Sequence, residues 1–423
     1  VANMRKPIFA LAVSAISLLT VEARQPNVVL IMADDMGYEC VGAHGGTSYQ
    51  TPFLDKLAET GIRFDNCQAQ PLCTPSRVKI MSGRSNARNY VGFGVLDWKV
   101  RTFAHLFKDA GYDTCVVGKW QLGKEDDSPV HFGFDEALLW QQKLPRAVKT
   151  EGEKAKRDSR FASPWLQMTT KAKDGGIKSE VTHHPGKYGP DIVSDHACDF
   201  IERHRNEPFL LYYPMLLVHC PFVPTPDSKD WDSEDKGSKS YKGDPKYFPD
   251  MVAYTDKCVK KIVDKLDELG IRDDTLVIFT GDNGTDKPIV SMVGDKKVVG
   301  SKGMTIEWGT HVPFIANWPG VIPGGGVCDD LIDFSDVLPT ICEAAQVPVP
   351  DDLGVTGRSF LPQLKGEAGT PREWIHCHYD PKMKNPKVFA RTKRHKLYAD
   401  GRFLDVERDI REKNPLKDAD LKP

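Results

Sequence analysis

An α/β protein built on a large, mixed but mostly parallel sheet flanked by helices is the fold class this chain predicts, and two observations carry the prediction. Three apolar runs, within Asn27–Ala33, Pro208–Val218 and Thr275–Thr280, lack the polar alternation of half-exposed strands and read as strands buried on both faces. Segments with apolar residues at helical spacing lie between them. Strands and helices that alternate in this way form parallel sheets whose ligands gather at the carboxyl edge.

The remaining elements follow in chain order. Arg5 and Lys6 precede an apolar run from Ile8 to Val21, and small residues at Val21-Glu22-Ala23 suit a signal peptidase, so residues 1–23 are expected to be a secretory signal peptide and the protein secreted or periplasmic. Thr51 caps a helix that opens at Pro52 and turns Leu54, Leu57 and Ala58 to one side as far as Gly61. Thr74 as cap, Pro75 at the first helical position and Gly83 at the end predict a two-turn helix. Arg101–Ala110 reads as an amphipathic helix closed by Gly111, and Thr114–Val117 as a short strand.

From Gln141 to about Pro190 the apolar rhythm fades. Ten Lys or Arg stand against four Asp or Glu between Lys143 and Lys178, a pattern read as a long, basic loop region with little regular structure that shapes a binding mouth. A second polar loop covers Pro226–Pro245. Ile192–Arg203, Asp250–Leu269 and Asp333–Ala345 read as helices and Val312–Ala316 as a strand. Past Gly366 the pattern changes to short strands, Lys387–Thr392 and Lys396–Ala399, with the turn Asp400-Gly401 opening onto Arg402–Asp405. The expected organisation is therefore signal peptide 1–23, a main α/β domain 24–366 and a small antiparallel subdomain 367–423.

The totals bound the function. With 423 residues the chain has material for one large core and a small appendage. Its 57 basic and 59 acidic residues nearly cancel, which argues against nucleic acid as a partner. No segment after the first is long and apolar enough to span a membrane. Ten cysteines in an exported chain permit disulfides, but their wide spacing fixes no connectivity.

Chemistry-bearing residues collect at the ends of the predicted strands. Asp34-Asp35 ends the first, His219 follows the second, and Asp282-Asn283 ends the third. Three carboxylates and an amide oxygen make a hard site for a divalent cation. Cys73 opens a helix, where backbone N–H groups favour negative charge, and Arg77 lies one turn on along the same side. Lys119 at a strand end and Lys302 in Gly300-Ser301-Lys302-Gly303 are further candidate cations.

Taken together the motifs resemble the type I sulfatases of the alkaline-phosphatase-like superfamily from about Gln25 onward. The resemblance rests on Cys-x-Pro-Ser-Arg at 73–77, Asp-Asp-x-Gly-Tyr at 34–38, Thr-Pro-x-Leu-Asp at 51–55, Gly-Lys-Trp at 118–120, His-x-Pro at 219–221, Gly-Asp-Asn-Gly at 281–284, Lys302, and the tail from Lys396-Leu397-Tyr398 to Arg402-Phe403. It implies an exported sulfuric ester hydrolase in which a maturation enzyme oxidises Cys73 to formylglycine. It further implies Ca2+, or Mg2+ in its place, held by Asp34, Asp35, Asp282, Asn283 and the modified residue 73. By the same likeness the hydrated aldehyde is the nucleophile, Arg77, Lys119 and Lys302 neutralise the sulfate oxygens, and His219, with or without Lys302, protonates the departing alcohol. The substrate expected is a sulfated small molecule or polysaccharide.

One position departs from the pattern. Gln121 stands where the family commonly has histidine in Gly-Lys-Trp-His-Leu-Gly. An amide can orient the nucleophile but cannot titrate near neutral pH, so a proton that the family's histidine takes would leave to water or another base. Two alternatives stay open at this point: a phosphonate monoester or phosphodiester hydrolase with the same nucleophile, and a catalytically silent glycan-binding relative.

Overall fold

The computed structural model describes residues 25–140, 160–172, 174–235, 238 and 240–417. The expected signal peptide and residues 141–159 of the basic region lie outside the described residues.

In chain order the strands are β1 (Asn27–Ala33), β2 (Ile62–Gln68), β3 (Asp113–Gly118), β4 (Glu136–Trp140), β5 (Trp165–Lys171), β6 (Ile177–His183), β7 (Phe209–Pro214), β8 (Thr275–Gly281), β9 (Val290–Val293), β10 (Lys296–Val299), β11 (Phe314–Asn317) and β12 (Gly326–Asp333). Four more, β13 (Ile375–Tyr379), β14 (Lys387–Arg391), β15 (His395–Tyr398) and β16 (Phe403–Asp405), form a small antiparallel sheet near the C-terminus. The main sheet has ten strands in the order β12-β2-β11-β8-β1-β7-β3-β4-β5-β6, and β9 pairs with β10 apart from it. The run β8-β1-β7-β3-β4 is parallel throughout.

β1 shows why its sequence is a continuous apolar run. Val28, Leu30 and Met32 enter one core with Val78 and Met81 of the Cys73–Ser82 helix and Leu338 and Ile341 of the Val337–Ala344 helix. Val29, Ile31 and Ala33 enter the core on the opposite face with Leu54 and Leu57 of the Pro52–Glu59 helix and Ile262 and Leu266 of the Phe248–Glu268 helix. Helices cover both faces, so no position along the strand meets water. Burying each large aliphatic chain in this way contributes about 1.5–3 kcal/mol.

Several expectations need correcting. The stretch from Gln141 to Pro190 is not structureless where it is described: β5 and β6 form an antiparallel hairpin that extends the sheet beyond β4. Its turn, Asp174-Gly175-Gly176, is a hairpin signal that the basic composition obscured, with Gly175 at φ 87° and Asp174 Oδ1 accepting from Gly176 N–H. The segment read as a helix from Asp333 begins only at Phe334, because Asp333 ends β12 and its carboxylate caps the short turn that follows. Strands β2, β4, β9, β10 and β12 lie outside the sequence expectations; β2 and β12 carry too many polar residues to read as buried runs. β11 runs antiparallel to both neighbours. All ten cysteines are free thiols.

Candidate active site

The switch point of the sheet lies at β1, which pairs with β7 on one side and β8 on the other. All three run the same way, so Asp34-Asp35 after β1, His219 beyond β7 and Asp282-Asn283 after β8 emerge at one carboxyl edge. Lys119 follows parallel β3 at the same edge.

Residue 73 reaches this edge on the Cys73–Ser82 helix, every residue of which is buried. The capping position is Leu72, with extended backbone, rather than Thr74; Thr74 sits inside the first turn and its hydroxyl accepts from Gly94 N–H at 3.1 Å. Gly83, at φ 63°, ends the helix as expected. A wholly buried helix must partner its cations. Lys79 pairs with Asp333 at 2.5 Å, and Arg77 donates to Asp282 Oδ2 at 2.8 Å and to the Lys119 carbonyl at 3.1 Å. A similar substitution occurs on the Pro52–Glu59 helix: Thr51 makes no capping bond, and the Asp256 carboxylate of a distant helix accepts from Phe53 and Leu54 N–H at 3.0 and 2.7 Å.

The acidic residues interlock. Lys119 Nζ lies 2.5 Å from Asp34 Oδ2, Lys302 Nζ 2.5 Å from Asp35 Oδ2, and Asn283 Nδ2 donates to Asp35 Oδ1 at 2.8 Å. Asp35 N–H donates to Asp282 Oδ1 at 3.0 Å. One oxygen or sulfur each from Asp34, Cys73 and Asp282 lies within 4.8 Å of the others, and ligand atoms of Asp34, Asp35 and His219 meet the same limit. The pocket thus gathers Asp34, Asp35, Cys73, Arg77, Lys119, His219, Asp282, Asn283 and Lys302 from sequence positions more than two hundred apart. Asp35 at φ 62° and Gln121 at φ 60° hold left-handed backbone that costs a non-glycine residue about 1–3 kcal/mol, strain of the kind that clusters at functional sites.

Electrostatics sharpen the picture. Burial opposes ionisation of Asp34, yet Lys119, His219, Arg77 and Lys302 together hold it well below the usual carboxylate range. Burial and the charge of Asp34 push Asp282 up to about 7 against Arg77 and Lys119. Two carboxylates this close call for more positive charge than the side chains supply. Asp34 Oδ1 and Asn283 Oδ1 are buried oxygens with no hydrogen-bond partner. Orphaned hard oxygens beside crowded carboxylates fit a divalent cation of the calcium or magnesium type.

Burial also raises the Cys73 thiol, outweighing Lys119, so an unmodified Cys73 stays protonated and weakly nucleophilic at neutral pH. His219 is pushed down to about 4 by burial despite Asp35 and Asp34, whereas Lys302, half-buried and facing Asp35, stays charged. Arg160, in sequence one of the basic residues of its region, carries no local signal of a role here. Its Nη1 lies 2.8 Å from His219 Nδ1 and 2.7 Å from the Cys220 carbonyl, and its guanidinium stacks 4.9 Å from the Trp140 ring. His219 Nδ1 thus faces a guanidinium that only donates and the Cys220 carbonyl that only accepts, which together hold the ring, and Nε2 lies 3.6 Å from Asp35 Oδ2 at the pocket. Gln121 Oε1 is buried without a partner, and its side chain is not joined to the carboxylate cluster by any hydrogen bond among the described residues.

A carboxylate-and-amide cradle, three fixed cations and a buried side chain at a helix start, all on the carboxyl edge of an α/β sheet, are the equipment of a hydrolase acting on an oxyanion ester. The family model described as Sulfatase matches residues 26–347, and one described as N-sulphoglucosamine sulphohydrolase, C-terminal, matches residues 299–419. N-acetylgalactosamine-6-sulfatase of Mus musculus is 31% identical over 390 residues, covering 84% of this chain and 70% of that protein. Arylsulfatase A of Homo sapiens is 30% identical over 395 residues, covering 89% and 75%. Among solved structures, Ps i-CgsB superimposes with a TM-score of 0.75 at 25% identity, covering 94% of this chain and 89% of that one. BT4656, in complex with its substrate D-glucosamine-2-N,6-O-disulfate, gives a TM-score of 0.71 at 24% identity over 93% of both chains. The chain belongs to the sulfatase family, the type I sulfatases of the alkaline-phosphatase-like superfamily, and is a sulfuric ester hydrolase.

Proposed function

We propose that this sulfatase is an exported enzyme that removes sulfate from carbohydrate esters, using formylglycine made from Cys73 and Ca2+ held by Asp34, Asp35, Asp282 and Asn283. The observation that carries the reading is the meeting of these residues with Arg77, Lys119 and Lys302 in one buried pocket. When bound, the cation supplies positive charge to the sulfate oxygens and to the nucleophile. Oxidation at position 73 fits the environment, since a buried, protonated thiol serves hydrolysis poorly while an aldehyde hydrate offers two hydroxyls, one to attack sulfur and one to expel the sulfate.

The chain's own groups then divide the work. Arg77, already anchored to Asp282, and Lys119 offset negative charge on the sulfate without having to reorganise, the most effective form of electrostatic catalysis. Lys302 carries its proton at neutral pH and is the source for the departing alcohol; His219, neutral, turns Nε2 toward the ester oxygen, with Arg160 and the Cys220 carbonyl holding the ring at Nδ1. Gln121 orients the hydrate without titrating. A carbohydrate substrate is supported by the relatives: one is named for N-acetylgalactosamine-6-sulfate chemistry and one is seen with a disulfated glucosamine.

Export is supported by the basic-then-apolar first residues, and among the described residues no helix is long and apolar enough to cross a membrane. The proposed division into 24–366 and 367–423 is supported by the change from the ten-stranded sheet to the four-stranded one. The reading is tested by incubating Ca2+-loaded protein, made with a formylglycine-generating enzyme, with sulfated mono- and disaccharides alongside aryl phosphonates and phosphodiesters. Release of sulfate at rates well above the phosphorus reactions is expected; preferred hydrolysis of the phosphorus esters would overturn it.

A further inference from the structure

Lys396, Tyr398 and Glu412 form a buried knot beside the small C-terminal sheet that the chemistry above leaves unused. The Lys396 side chain is 1% exposed, its Nζ lies 3.8 Å from the centre of the Phe389 ring, and it pairs with Glu412 Oε1 at 2.7 Å. The Tyr398 hydroxyl donates to Glu412 Oε2 at 2.5 Å. Glu412 is held at φ 56°, a left-handed conformation that a glutamate adopts only when its surroundings impose it. Lys396 and Tyr398 then reach out of their own sheet to one residue. Lys396 Nζ donates to the Thr305 carbonyl, and the Tyr398 hydroxyl lies 2.9 Å from Thr305 Oγ1.

Thr305 ends the loop that carries Lys302. The near end of that loop is tied to the pocket: Lys302 N–H donates to the Thr285 carbonyl at 3.0 Å, and Gly303 N–H to the carbonyl of Pro71, just before Cys73, at 2.7 Å. The knot supplies the anchor at the far end. A buried ion pair adds little net stability over a well-packed apolar side chain of the same size, so stability is a weak reason for lysine at position 396. What an aliphatic chain cannot supply is a directed, charge-assisted bond to a single carbonyl.

We infer that Lys396, Tyr398 and Glu412 are positioning residues for the sulfatase reaction, clamping Thr305 so that Lys302 is aimed at the sulfate ester beside residue 73. The small sheet is on this account part of the catalytic apparatus. The inference rests on the role given to Lys302 above, and its test separates the two.

The enzymes compared are the wild type, Lys396→Met, Tyr398→Phe, Lys302→Met and the Lys302→Met/Lys396→Met double variant, all matured and Ca2+-loaded, on aryl sulfates with good and poor leaving groups. Lys396→Met is expected to lower kcat/KM on the order of 10- to 100-fold per folded molecule, most for the poor leaving group, as small misplacements of a catalytic group do. The double variant is expected to be no worse than Lys302→Met alone, because both changes remove one function. Multiplying losses, or wild-type kcat/KM in Lys396→Met, would overturn the inference. Amide hydrogen exchange over residues 300–306 is read in parallel: Tyr398→Phe should speed it while the protection of β1 and β8 stays unchanged, and unchanged exchange overturns the clamp whatever the turnover. If Lys396→Met does not fold, Tyr398→Phe, which removes one hydroxyl, carries the kinetic arm. If no sulfate ester is turned over by the wild type, the role of Lys302 falls and the exchange arm still decides the clamp.

Discussion

Strands β1 and β6 are each seven residues long and belong to one sheet, yet they could hardly differ more. All seven residues of β1 are buried between two helical layers, while six of seven in β6 are exposed. β1 ends in Asp34-Asp35 at the pocket, and β6 lies at the far edge with no candidate catalytic residue on it. The difference teaches where this fold can keep chemistry. Side chains held to a fraction of an ångström, with charges screened from water, need rigid elements packed on both sides, and only the central parallel strands offer that.

The contrast can be broken or sharpened experimentally, and the largest effect belongs at the end of the central strands. Asp282→Asn keeps the shape but removes the charge that anchors Arg77 and faces the cation; kcat/KM should fall on the order of 10³-fold in initial-rate assays. Next comes the strand itself. Leu30→Ala should cost about 2–5 kcal/mol in urea unfolding, because the surrounding core cannot close on the gap.

Acid should act through the same interior. His44 is half-buried, its Nδ1 is shut off from water without a partner and its Nε2 accepts from Phe314 N–H at 3.3 Å, so the folded protein keeps it neutral down to about 3 while the unfolded chain protonates near 6.5. Between those values the unfolded state holds the extra proton, and stability rises with pH. The melting temperature should therefore fall as pH drops from about 6.5 toward 4, with a shallower slope in His44→Gln.

Smaller effects lie further from the centre. Thr102 caps the Phe103–Asp109 helix in a reciprocal box with His105, and Thr102→Ala should cost about 1 kcal/mol by urea unfolding. Ile177→Ala on β6 should change stability by no more than about 0.5 kcal/mol. A loss as large as that of Leu30→Ala at this edge would erase the distinction drawn here.

The same contrast governs what could be read from letters. β1, β7 and β8 announced themselves because strands covered on both faces must be apolar throughout, and their terminal Asp34, Asp35, His219, Asp282 and Asn283 stood out against that background. β5 and β6 did not, since a half-exposed edge hairpin in a basic region looks like loop until its Asp-Gly-Gly turn is noticed. Capping misled for a related reason. Leu72 caps by backbone geometry alone, and the Asp256 carboxylate that completes the Pro52–Glu59 helix comes from 202 residues away in sequence, beyond any local pattern. Arg160 carried no signal at all, because its importance lies in contact with His219 and Cys220, made only in the folded chain.

The most direct test is sulfate release from a sulfated saccharide, measured by ion chromatography, for the matured enzyme and for Cys73→Ala under the same Ca2+ load. The wild type should liberate sulfate steadily and the variant none above the uncatalysed background. Undiminished release by Cys73→Ala would place the nucleophile elsewhere and contradict the pocket as described.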